Sequence, residues 1–218
     1  AVVVDRCGDS TVIPVLAGGA KEQKGTESLV IRDLTIADSA IVSTNTIGSA
    51  AFIECTSGLT SITMENCHLI SSTITGDTVE GTRMGALIGW TAAGKTAKGT
   101  ALETTYTITG CTVRDSVLES FGSVGGLIGH AGYHKLTNHI ITDCEVSGTT
   151  LRSIESPGYK GVGTIVGTVN LGRVTIENCV SYDNTEYSVE EAPDIYDNEG
   201  LEFGRLALSS YGQAHVVN

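Results

Sequence analysis

A short phrase centred on cysteine recurs along the chain and constrains its fold more than any other feature. The phrase approximates Ile-Thr-x-(Asn/Asp/Gly)-Cys-x-(Leu/Val), and its central position is occupied in turn by Leu34, Cys67, Cys111, Cys144 and Cys179. Successive centres lie 33, 44, 33 and 35 residues apart. Internal periods in this range are typical of solenoids, propellers and other repeat architectures.

A second phrase, close to Gly-(Leu/Ile)-(Ile/Val)-Gly, accompanies the first. Its aligned apolar position is held by Phe52, Leu87, Leu127, Ile165 and Leu206. Apolar residues in both phrases alternate with Thr, Ser or charged residues, which is the period of a β-strand. We therefore predict an all-β fold, a single-stranded right-handed parallel β-helix of about six coils with three short strands each. The handedness follows from the crossover preference of parallel strands.

The residue before each cysteine position supports this architecture. That position is held by Asp33, Asn66, Gly110, Asp143 and Asn178. These residue types tolerate left-handed backbone better than others, as a tight corner between two sheets requires. The four repeated cysteines are then expected to stack in the core as small apolar groups. The spacing of the six cysteines fits no zinc site.

Composition limits the partners that the chain can bind. The 218 residues carry a formal net charge of -12, which disfavours nucleic acid and anionic membranes because both are bound through basic side chains. Apolar runs are too short to span a bilayer, so membrane insertion is not expected. We predict one domain over residues 1–218, with variable loops at about 91–104, 130–138, 153–160 and 183–200. Binding residues usually lie on such loops.

The repeat resembles the GLUG repeat of bacterial surface proteins, which joins a Gly-Gly-Leu-Val-Gly phrase to Ile-x-Asn-Cys-x-(Val/Ala)-(Ser/Thr)-Gly. The closest matches are 125–129 leading to 141–148, and 163–167 leading to 176–179. The resemblance implies a secreted or cell-surface, adhesin-like β-solenoid, and that repeat has no catalytic residues to carry over. The expected partner is a glycan or a surface protein, and no cofactor is expected. The departures are longer spacers and loose matches in the first and last coils.

Aromatic side chains on the loops are the candidate ligand contacts in this interpretation. They are Trp90, Tyr133, Tyr159 and Tyr187. Aromatic faces suit sugars and protein partners. The final segment, 209–218, offers no amphipathic helix to cover the end of the solenoid, so we expect end-to-end self-association or a flanking domain.

The alternative function is a carbohydrate-active β-helix enzyme, a polysaccharide lyase or glycoside hydrolase. Such an enzyme would use paired carboxylates as acid and as base or nucleophile. The candidates are Asp115, Asp143, Glu145 and Glu177. Asp143 belongs to the corner position, and Glu145 shares its position in the repeat with His68, Thr112 and Val180, as a solvent-facing residue would.

Three further patterns are weaker. Residues 89–96 match the phosphate-loop pattern GxxxxGK(S/T), but such a loop opens a helix, whereas 104–107 here has strand character. His130 and His134 bind metal at this spacing only on a helix, so we expect both to be polar surface residues. The acidic loop at 183–200 contains no regular calcium-binding sequence and is expected to be solvated.

Overall fold

A computed structural model describes residues 27–43, 47–56, 59–76, 82–96, 98–132, 134–154, 161–187, 207–209 and 213–217, with backbone alone for residue 27 and the last two ranges. Strands account for all of the regular structure in these residues. The described part contains no helix long and apolar enough to cross a membrane.

The chain winds through four sheets in a fixed order. The first two coils contain β1 Glu27–Ala37, β2 Ala40–Val42, β3 Gly48–Ser49, β4 Ile53–Cys55, β5 Leu59–Ile70, β6 Thr73–Thr75, β7 Arg83–Gly85 and β8 Ile88–Trp90. The third and fourth contain β9 Thr104–Thr109, β10 Thr112–Arg114, β11 Val117–Ser120, β12 Val124–Gly125, β13 Ile128–Ala131, β14 Thr137–Thr142, β15 Glu145–Ser147, β16 Thr150–Ser153, β17 Val162–Gly163 and β18 Val166–Val169. Later strands are β19 Arg173–Glu177, β20 Val180–Tyr182, β21 Thr185–Tyr187, β22 Ala207–Ser209 and β23 Gln213–Val217.

Every named strand pairs in parallel with its counterpart in a neighbouring coil. Sheet A contains β1, β5, β9, β10, β14, β15, β19, β20 and β23; sheet B contains β2, β6, β11, β16 and β21; sheet C contains β3, β7, β12 and β17; and sheet D contains β4, β8, β13, β18 and β22. The prediction of a parallel β-helix is therefore confirmed.

The predicted number of coils and of strands per coil needs correction. The described residues form four complete turns, part of a fifth and, in β23, the first strand of a sixth, against about six predicted. Each complete turn has four or five strands rather than three. From the third coil on, the cysteine phrase supplies two strands because the chain bends at the residue before the cysteine, whereas β1 and β5 continue through Asp33 and Asn66. The glycine phrase also supplies two, because the backbone bends at Gly126 and Leu127 between β12 and β13.

The strand register aligns the cysteine positions of successive coils, as the repeat in the sequence predicts. Leu34 pairs with Cys67 in the β1–β5 ladder. The four repeated cysteines are buried free thiols, with backbone N–H groups of Cys67 and Cys144 donating to the sulfurs of Cys111 and Cys179, both at 3.4 Å. Hydrogen bonding to Cys111 and burial raise the pKa of the Cys67 and Cys144 thiols, so these thiols stay protonated. The cysteine column is therefore part of the core, as predicted.

Left-handed corners occur at two columns. The predicted column has positive φ throughout, from 52° at Asn66 to 63° at Gly110. A second column lies five residues later in each coil and also has positive φ, between 47° and 57°: Asp38, Ser71, Asp115, Gly148 and Asp183. From the third coil on, the two columns delimit the short strands β10, β15 and β20, which carry the residues after the cysteine.

The glycine phrase lets two sheets meet backbone to backbone. A Cβ added to Gly129 in sheet D would lie 2.5 Å from the backbone of Met84 in sheet C of the previous coil. A Cβ on Gly85 would lie 2.5 Å from the backbone nitrogen of Gly129. Only glycine allows this approach, so the phrase records a packing requirement between sheets C and D.

A polar network lies inside the core beside sheet A. The Tyr106 ring stacks on the His139 ring with centroids 4.6 Å apart, and the Tyr106 hydroxyl donates to the Ala92 carbonyl at 2.6 Å. His139 Nδ1 donates to the Arg173 carbonyl at 3.1 Å, so its Nε2 accepts from Thr91 Oγ1 at 2.9 Å. Each of these buried polar groups is satisfied, as burial in a low-dielectric core requires.

Candidate binding groove

The turns that lead from sheet D into sheet A enclose a groove of about 530 Å³. It crosses three successive coils, and its lining comes from equivalent positions in each: Glu103, Thr104 and Thr105; Lys135, Leu136, Thr137 and Asn138; Leu171, Gly172 and Arg173. A cavity of this volume is in the range of small-ligand sites.

The floor of the groove is one outward-facing column of sheet A. Thr105 pairs with Asn138, and Asn138 pairs with Arg173, in the β9–β14–β19 ladder. Successive rungs of a parallel sheet are roughly 4.8 Å apart. The column therefore presents a hydroxyl, an amide and a guanidinium in a line across the coils.

Inward-facing threonines hold the turns that form the walls. Thr104 Oγ1 accepts from the Gly94 N–H at 2.7 Å, which ties the start of the 91–103 turn to β9. Thr137 Oγ1 donates to the His134 carbonyl at 2.7 Å and anchors the next turn in the same way. A threonine at the first position of β9 and of β14 is thus the local sequence feature that positions these two turns.

The groove is locally cationic in an acidic protein. Lys135 and Arg173 are exposed lining residues, and Glu103 is the carboxylate among the lining residues. Leu171, whose exposed fraction is 47 %, adds an apolar surface. The arrangement offers two cations and several neutral hydrogen-bonding groups to a ligand.

The carboxylates considered for catalysis lie elsewhere. Asp143 and Asp115 occupy the two corner columns and are exposed, and Glu177 is exposed at the end of β19. Glu145, at the start of β15, accepts from Ser147 Oγ at 2.7 Å and from the Tyr182 hydroxyl at 2.8 Å. Its position in register with Thr112 and Val180 is as predicted.

The electrostatics of Glu145 do not suit a general acid. Hydrogen bonds from Ser147 and Tyr182, with a smaller contribution from Arg114, lower the pKa of its carboxyl group. A carboxylate with a lowered pKa is ionised at neutral pH and has no proton to give. None of the four candidate carboxylates lines the groove.

The aromatic candidates are dispersed. Trp90 is the half-buried last residue of β8, paired with Cys55 and His130 in sheet D. Tyr187 is exposed at the end of β21, with the Arg152 guanidinium 4.9 Å from its ring centroid. Neither lines the groove. Tyr133 and Tyr159 lie outside the described residues.

Several loop and site expectations change. His130 is 1 % exposed in β13 and not a surface residue, because it follows the tightly packed Gly129 within sheet D. The loops predicted at 130–138 and 153–160 are shorter at their ends, since 130–131, 137–138 and 153 are in strands. Of the 183–200 loop, residues 185–187 form β21 and 188–200 lie outside the described residues.

The phosphate-loop phrase has the context that the sequence predicted. After Gly89, the chain runs through a turn in which Lys95 bridges Ala101, and then enters β9. Among the described residues no group of three or more His, Cys, Asp or Glu side chains is arranged to hold a metal ion. Cys55 is buried at the end of β4 and is not in a disulfide, and Cys7 lies outside the described residues.

Sequence reasoning missed the lining residues Thr105, Lys135, Asn138 and Arg173. A usable signal was present, because the described turns before β9, β14 and β19, taken with the first residue of β19, hold four cations and one acid in a chain of net charge -12. Comparison with protein-family models, with curated proteins and with solved structures finds no match for this chain.

Proposed function

We propose that this protein is a non-enzymatic, extracellular β-helix module that binds a glycan in the groove at the entrance to sheet A. The observation that carries the proposal is the groove itself, in which equivalent positions of three coils supply Thr105, Asn138 and Arg173 side by side. Hydroxyl, amide and charged side chains are the groups that hydrogen-bond sugar hydroxyls, and Leu171 offers an apolar contact.

The extracellular location and the adhesin-like role belong to the same proposal. They rest on the resemblance of the 51–180 region to GLUG repeats of bacterial surface proteins. Immunolabelling of intact cells that produce the protein tests the location: surface labelling is expected, and signal only after permeabilisation would contradict it.

A glycan array followed by calorimetry tests binding. We expect at least one glycan to bind and to remain intact on prolonged incubation, as judged by mass spectrometry. Asn138→Ala should weaken that binding about tenfold, because a lost hydrogen bond within a binding site costs about 1 kcal/mol or more. Thr150→Ala, on the outward face of sheet B, is the matched control and should bind as the unaltered protein does.

Two outcomes would overturn the proposal. Absence of binding across a broad array would exclude a glycan as the ligand. Cleavage of a bound glycan, lost in Glu145→Gln or Asp143→Asn, would replace the binding module with the carbohydrate-active enzyme.

A further inference from the structure

We propose that the groove selects acidic polysaccharides, with uronic acid carboxylates or sulfate esters paired to Lys135 and Arg173. This inference rests on the proposed glycan-binding function and adds the chemical class of the ligand. It also gives the ligand a direction, along the rod axis and across the strands.

The charges of the described residues point to an anionic ligand. Eight lysines and arginines are described. Three pair with carboxylates: Arg32 with Glu65 at 2.8 Å, Arg114 with Asp115 at 3.7 Å and Arg152 with Glu119 at 3.0 Å. Arg83 is half-buried at the start of β7.

The other four described cations lie close together in the fold: three lysines in the turns that lead into sheet A, and Arg173 at the first position of β19. Lys135 and Arg173 line the groove, and Lys95 and Lys98 lie in the turn that ends at the lining residue Glu103. None of the four makes an ion pair with a described carboxylate. The chain has 25 acids against 13 basic residues, so four cations without an ion pair to a described carboxylate, two of them lining the groove, form a local concentration of positive charge that favours anions.

The geometry favours a sugar chain over an acidic peptide. Extended peptides commonly bind by adding a strand to a free sheet edge. Here β9, β14 and β19 pair with one another along the groove floor, so their backbone groups are used within sheet A. Recognition is left to side chains. Thr105 and Asn138 can bond sugar hydroxyls between the charged positions, and the rung spacing of roughly 4.8 Å is on the scale of one pyranose unit.

The first test uses a panel that contains uronic-acid, sialylated, sulfated and neutral glycans. We expect binders to be confined to the acidic glycans. For the tightest binder, carboxyl reduction or desulfation should weaken binding at least tenfold, and affinity should fall as salt is raised. Neutral glycans that bind equally well would overturn this inference and leave the glycan-binding function intact. No binding to any glycan would overturn both.

Substitutions in the groove test the assignment of the cations. Arg173→Gln and Lys135→Gln should each weaken binding of the acidic glycan roughly tenfold, because each removes a charge-assisted hydrogen bond. Both residues are exposed, so the circular dichroism spectrum should not change. The matched control is Arg114→Gln, which removes the same charge at the end of β10, outside the groove, and its affinity should stay within about twofold.

Two results would contradict the assignment. Equal weakening by Arg114→Gln would mean that overall charge and not the groove controls binding. Competition by poly-glutamate at the same charge concentration, as effective as the acidic glycan itself, would indicate an acidic peptide ligand instead.

Discussion

Two buried histidines are the residues whose ionisation most affects this protein. Burial lowers the pKa of His139 to about 4. Burial, helped by the charges of Arg83 and His139, lowers the pKa of His130 to about 3. Neither ring nitrogen of His130 has a hydrogen-bond partner among the described residues. Both imidazoles are therefore neutral in the folded protein at neutral pH.

These lowered pKa values predict a loss of stability in mild acid. The unfolded chain takes up protons as pH falls through about 6.5, whereas the folded state takes them up only near 4 for His139, so the free energy of unfolding falls with pH across that window. Each buried histidine contributes about 1.4 kcal/mol per pH unit there. Urea titrations at pH 7.5, 6.0 and 5.0 should show this slope, and His139→Gln should reduce it. Thr63→Gln, on the outward face of β5, changes no ionisable group; it is the control and should leave the slope unchanged.

Backbone conformation at the corner columns supplies a second prediction at the residue scale. Asp143 has a φ of 55°, where a Cβ costs about 1 kcal/mol. We expect Asp143→Gly to be more stable than Asp143→Ala by about that amount, as measured by urea denaturation. At the neighbouring strand residue Thr142 the order should reverse, with alanine more stable than glycine. The same order at both positions would contradict the left-handed corner.

At the scale of elements, the contact between sheets C and D depends on its glycines. Rows of glycine in β7, β8, β12, β13 and β18 allow strands of one coil to touch the backbone of the next. The neighbouring atoms are backbone and not the ends of flexible side chains. A methyl group there cannot be accommodated by a rotamer change.

Gly129→Ala should therefore lower the free energy of unfolding by about 3 kcal/mol or more, at the upper end of the range for overpacked sites. Gly99→Ala is the matched control, since its added Cβ meets nothing within 4 Å and only the positive φ of 79° opposes it. The control should lose about 1 kcal/mol. Thermal or urea unfolding of both variants measures the difference, and similar losses would show that sheets C and D are not in backbone contact.

At the scale of the whole molecule, the stability of each coil depends on the coils stacked beside it. In a solenoid each coil contacts chiefly the coils beside it, so interior coils are supported on two sides. The coils from β5 to β18 have described partner strands on both sides, with the exception of β17 at the end of sheet C. End-to-end self-association remains a prediction, and light scattering that finds only monomers would count against it.

Native-state hydrogen exchange should be slower in the interior coils than in the first coil. We expect the slowest amide exchange in β9, β13 and β14, which pair with strands on both sides, and faster exchange in β1 and β2. Mass spectrometry of peptic peptides resolves these segments. Uniform protection along the rod would contradict a nearest-neighbour description and indicate one global opening.

The sequence alone determined the parallel β-helix, the cysteine column and the first left-handed corner. Each depends on local preferences of the residues, namely the strand period and the tolerance of positive φ. Stacking of the coils then places the same residue type in register from one coil to the next. Tertiary structure decided the groove, the burial of His130 and the backbone contact of sheets C and D. Arg173 is 35 residues from Asn138 in sequence but adjacent in sheet A, and the repeat predicts this pairing because each lies six residues before the cysteine of its phrase. The walls of the groove depend in addition on how turns of unequal length pack against one another, and the repeat pattern contains no information about that.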